Sequence, residues 1–98
     1  MNDDSPSEKL DELAKIFEKD LMEQYGPLLT GDDLRRALGY ISKDAFRQSM
    51  VRNTVPVKLF SLEHKKGKYA FTKDVAHYLA AVRVERQVGK QPGGDIDN

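Results

Sequence analysis

Leu10, Leu13, Ala14, Phe17, Leu21 and Tyr25 recur at spacings of three and four, which predicts one amphipathic helix with its charged residues on the outer faces. Ser5-Pro6-Ser7-Glu8 ahead of it has capping-box spacing with proline at the first helical position, and Gly26-Pro27 supplies the stop. Leu34 and Leu38, one turn apart, predict a two-turn helix capped by Thr30 or Gly31 and ended by Gly39 in a left-handed conformation. Tyr40 and Ile41 then lead to Ser42, a good N-cap. The helix that follows puts Phe46, Ser49, Met50 and Asn53 on one side and Asp44, Arg47, Gln48 and Val51 on the other. Two short helices across a tight turn have the pattern of a helix-turn-helix, which an ordinary helical hairpin shares.

The period changes at Val55. Val55 to His64 is rich in strand formers, Lys68 to Phe71 makes a second short strand, and Lys65-Lys66-Gly67 lies between them as a turn. Pro56 cannot donate to a ladder, so it belongs at the start or edge of its strand. Thr72 is expected to cap a last helix in which Val75, Tyr78, Leu79 and Val82 recur at helical spacing, fading near Glu85 to Val88. Residues 1–7 and 88–98 lack large apolar side chains almost entirely and are expected to be disordered tails. The fold class is thus mostly α with a small β-hairpin: an acidic amphipathic helix over 8–26, then a domain over 28–86.

Composition narrows what such a chain can do. Ninety-eight residues permit one modest core and no deep substrate cavity, which favours a binding module over an enzyme. No apolar run is long enough to span a bilayer, and the acidic amino terminus has no secretory-signal pattern, so a cytoplasmic location is expected. There is no cysteine, hence no disulfide framework and no thiolate chemistry. The net charge of zero conceals an asymmetry. Residues 1–27 hold eight acids against three bases, a balance of minus five, whereas residues 28–86 hold twelve bases against six acids, a balance of plus six. A basic domain behind an acidic arm points to a polyanionic partner.

Against this background, Leu28-Leu29-Thr30, Asp33-Leu34, Leu38-Gly39, Ile41-Ser42-Lys43, Val55-Pro56-Val57, Thr72-Lys73-Asp74-Val75 and Tyr78-Leu79 resemble the winged-helix domain of phage and plasmid excisionases, AlpA-like regulators and MerR-type proteins. The resemblance covers residues 28 to about 82. It implies binding of double-stranded DNA, with the second helix in the major groove, the hairpin wing on the backbone or minor groove, and the last helix completing the core. Carried over, it makes Ser42 and Lys43 the phosphate-facing start of the recognition helix. Arg47 and Gln48 become the readers of guanine and adenine edges, and Arg52 a further phosphate contact. Lys65, Lys66 and Lys68, with His64 and Tyr69 beside them, form the wing. Asn53-Thr54 stand where many relatives have glycine and an acid, and Asn53 is expected to take the left-handed turn. Ser49 replaces a frequent aromatic, so the packing beneath the recognition helix is expected to differ.

Other chemistry finds little footing. Arg47, Gln48 and the wing lysines also suit a solvated surface, and edge lysines discourage strand aggregation. His64 and His77 lie thirteen residues apart without a short-spaced partner, so no metal site is expected. Asp32, Asp33 and Asp44 flank helix starts, where carboxylates complement the dipole. Gly89 and Gly93-Gly94 follow no strand, so they make no phosphate loop. The stripe of Leu10, Leu13, Phe17, Leu21 and Tyr25 packs either on its own domain or on the same helix of a second chain, giving a homodimer. The expectation is a non-enzymatic, cofactor-free and nucleoid-associated binder of double-stranded DNA, with no small-molecule substrate: an excisionase-like directionality factor or small transcriptional regulator. Its acidic arm is expected to lower non-specific DNA affinity. The alternative is a winged-helix adaptor that docks a protein.

Overall fold

The computed structural model describes residues 6–87, so the Ser5 cap, positions 1–5 of the tail expected over 1–7, and the tail expected over 88–98 lie outside the described residues, while positions 6 and 7 belong to the first helix. Helix α1 spans Pro6–Tyr25, strand β1 Leu28–Thr30, helix α2 Gly31–Leu38, helix α3 Lys43–Arg52, strand β2 Tyr69–Phe71 and helix α4 Thr72–Gln87. The fold is mostly helical with one small antiparallel sheet, β1 against β2.

Proline opens α1 where its missing N–H costs nothing. Gly26, at φ 84°, closes it, and its N–H reaches Met22 O at 2.9 Å. Thr72 then ties the exit of α1 to the start of α4. Its N–H donates to Pro27 O at 2.9 Å and its hydroxyl to Gly26 O at 2.6 Å, so the hydroxyl acts as a donor across the fold as well as marking a helix start.

The expected hairpin is corrected in its pairing. β2 ladders with β1, with Leu29 opposite Ala70 and both fully buried, while the 55–64 segment pairs with β2 at the isolated Phe60–Tyr69 bridge and packs Phe60 on Phe71, ring centroids 5.0 Å apart. Phe60 N donates to Tyr69 O at 2.9 Å and Tyr69 N to Phe60 O at 2.8 Å. Pro56 offers no N–H, which helps explain why no regular strand forms through it. Burial nonetheless alternates over residues 55–59: Val55, Val57 and Leu59 pack against the core while Pro56 and Lys58 face out. The reversal also falls earlier than Lys65-Lys66-Gly67. Lys65 N reaches Leu62 O at 3.1 Å, and His64, at φ 66°, supplies the positive third position that a type II turn requires.

One cluster holds these elements together. Leu29, Leu34, Leu38, Phe46, Ala70 and Val75 are buried, with Leu21, Tyr25, Tyr78 and Leu79 packed around them. Ala76 and Ala80, both fully buried, keep one side of α4 small. α1 lies along α4, and so the first reading of its apolar stripe, packing on its own domain, is the one observed within the chain. The acids from Glu8 to Glu23 are thus carried on a helix that lies along α4.

Candidate nucleic-acid interface

The approach of α2 to α3 is set by a few directed bonds. Gly39, at φ 89°, turns the chain out of α2, and the Arg35 side chain reaches back across the turn. Its Nη1 donates to Tyr40 O at 2.9 Å and its Nε to Asp32 at 3.4 Å, with the side chain only 14% exposed. Tyr40 lies with its ring centroid 5.1 Å from that of Phe46, an aromatic contact that fixes the first turn of α3. Its hydroxyl meets Ser49 Oγ at 2.7 Å, and Ser49 Oγ meets Thr54 Oγ1 at 2.8 Å. Ser49 is buried, so this hydroxyl chain satisfies polar groups that would otherwise be stranded beneath α3. Ser49 is therefore a hydrogen-bonding node beneath α3.

Ser42 caps α3, accepting from Ala45 N at 3.0 Å, and Asn53 ends it at φ 62° as its residue type suggested. Between these caps Lys43, Asp44, Arg47, Gln48, Val51 and Arg52 are all exposed. A concave crease of about 620 Å³ opens between α3 and the 66–68 segment. It brings Lys43 and Arg47 together with Lys66 and Lys68 around the apolar side chains of Phe46 and Met50. Thr30, at the end of β1, pins the far side, its hydroxyl donating to Lys68 O at 2.7 Å. Gly67 sits at φ 85°, where any other residue is strained, so the bend presenting Lys66 and Lys68 depends on glycine.

The remaining expected site residues fall around this crease rather than in it. Ser42, Gln48, Arg52, His64 and Lys65 are exposed outside its lining. Tyr69 is half-buried in β2, with its ring centroid 6.3 Å from that of Phe60. Lys68 Nζ donates to Ser61 Oγ at 3.2 Å. Arg47 has a competitor for its guanidinium, since Nη2 pairs with Asp44 Oδ1 at 2.5 Å on the same helix face. Ile41 and Val51 were not singled out as site residues, yet they are 88% and 78% exposed at the two ends of α3. Ile41 stands where a hydrophobic staple would fold it onto Phe46, and Tyr40 has taken that role.

Among the described residues, no three His, Asp or Glu side chains group as a metal site would require, and no helix is long and apolar enough to cross a membrane. The chain matches no family model, no curated protein and no solved structure.

Proposed function

We propose that the protein is a sequence-selective binder of double-stranded DNA that works as a winged helix-turn-helix, with α3 as recognition helix and the 60–69 segment as a short wing. The observation that carries this reading is the crease in which Lys43 and Arg47 of α3 meet Lys66 and Lys68 across a concave surface. With Arg35 of α2, five cations from three elements line that surface against the single carboxylate of Asp32, and such a net positive concave face suits a phosphate backbone better than scattered surface lysines would. Within that docking, the N-terminus of α3 and Lys43 position the helix on phosphate, and Arg47 and Gln48 reach base edges in the major groove. Lys65, Lys66 and Lys68 hold the backbone beside it. Such contacts serve an excisionase-like directionality factor and a small transcriptional regulator equally, and both act in the nucleoid.

Selection of bound duplexes from a random pool should enrich a motif. Arg47→Glu combined with Lys66→Glu should then lower affinity for the selected duplex by at least about 100-fold, with an unchanged circular dichroism spectrum. With about five phosphates neutralised, log affinity should fall against log salt with a slope of about −4 to −5. Affinity retained in the double variant would overturn the proposal.

A further inference from the structure

We infer that the furrow between α1 and α4 is a self-complementary interface that takes a second copy of this chain. Phe17 and Leu21 from α1 and Leu79 and Val82 from α4 line a cavity of about 430 Å³, and their own chain leaves all four only partly buried. Ile16, about 100° round α1 from Phe17 and outside the furrow, is also 55% exposed. Phe17, Leu21, Leu79 and Val82 thus form one apolar lining that a matching apolar surface would bury.

The rim charges identify the occupant. Asp20 stands on the α1 side and Arg83 and Arg86 on the α4 side, and none of the three forms an ion pair with a described residue. An acid on one bank and two bases on the other is a pattern that complements itself after a half-turn. In a two-fold dimer, Asp20 of each copy meets Arg83 and Arg86 of the other while the apolar linings close on one another. The lining between these charges is apolar, which suits a matching protein surface rather than a phosphate backbone. This interface differs from the one expected along Leu10, Leu13, Phe17, Leu21 and Tyr25. Leu10, Leu13 and Tyr25 lie outside the furrow's lining, and α4 supplies Leu79, Val82, Arg83 and Arg86 to it.

The inference does not depend on DNA binding, and its test uses none. In sedimentation equilibrium at about 100 µM, the full chain should run at twice its mass of 11.1 kDa, since even an interface of about 10 µM affinity is then mostly formed. Asp20→Arg places like charges across the interface, and Arg83→Glu with Arg86→Glu does the same in the opposite sense. Each should loosen its own homodimer about tenfold or more. All three positions are exposed, so both variants should keep the wild-type circular dichroism spectrum. Mixed in equal amounts, the two variants restore attraction on both sides of the two-fold and should form a heterodimer tighter than either homodimer. A wild-type monomer at that concentration, or a mixture no tighter than its parts, would overturn the inference.

Discussion

Between α2 and α3 the chain commits polar side chains to structure. Arg35 holds the turn, Tyr40, Ser49 and Thr54 form a hydroxyl chain, and Ser42 and Asn53 close the two ends of α3. Between α1 and α4 the join is mainly apolar, with Leu21, Tyr25, Tyr78 and Leu79 against the core and the directed bonds of Thr72 at one end. Apolar burial has no preferred direction, whereas a hydrogen bond fixes an angle as well as a distance. The contrast suits a division of labour. If α3 presents Arg47 and Gln48 to DNA as proposed, its tilt needs directed bonds beneath it, while a helix pair that covers a core does not.

The largest effect should come from the cluster that both regions share. Leu34 of α2 is fully buried with Leu29, Ala70 and Val75, so Leu34→Ala removes side-chain volume from the place where β1, β2, α2 and α4 meet. It should lower unfolding free energy by about 2–5 kcal/mol. Far-UV circular dichroism and tyrosine fluorescence should still report one denaturation midpoint, because one cluster couples the regions. Two separated transitions would show that α2 and α3 melt independently of α1 and α4, and the contrast would become one between two folding units.

Tyr40→Phe should cost less, about 1 kcal/mol, because it removes one hydroxyl while Ser49 keeps Thr54 as partner. Its larger signature should lie in DNA binding. If the hydroxyl chain sets the tilt of α3, discrimination between the selected duplex and a scrambled one should fall several-fold with the salt slope unchanged. Selectivity equal to wild type would mean that ring packing against Phe46 alone orients the helix.

The sequence reveals these regions unequally, for physical reasons. Helix limits were readable where a residue type has one dominant backbone role: Pro6 at a helix start, Gly39 and Asn53 at left-handed ends, Ser42 as a cap. β1 was not, since Leu28-Leu29-Thr30 is too short to show a period of two and its partner lies some forty residues away. Residues 55–59 carry an inside-outside alternation, and alternation reports burial without revealing whether the backbone finds a ladder. At the site, Lys43, Arg47, Lys66 and Lys68 were all nameable from the sequence, yet nothing in their spacing shows that these four line one crease while Lys65 and Arg52 lie outside it. Arg35 and Tyr40 escaped notice as positioning residues because an arginine bonded to a carbonyl five residues on has no sequence signature.

The smallest effect isolates a single side chain whose two roles oppose each other. Asp44 lies in the first turn of α3, where its charge favours the helix by about 0.3–1 kcal/mol, and the same carboxylate holds Arg47 and stands on the face proposed to meet DNA. Asp44→Asn keeps the shape and removes the charge. Stability should fall by about 0.5 kcal/mol, and affinity for the selected duplex should rise about three- to tenfold at low salt, because Arg47 is released and a negative charge no longer faces phosphate. The gain should shrink as salt screens the charges, while an exposed ion pair of this kind contributes little to stability at any salt concentration. Opposite signs for the two measurements would place Asp44 as a brake on binding that helix stability retains. A loss of affinity instead would mean that Asp44 holds Arg47 in its binding geometry, and the outer face of α3 would then prove as deliberately fixed as the hydroxyl chain beneath it.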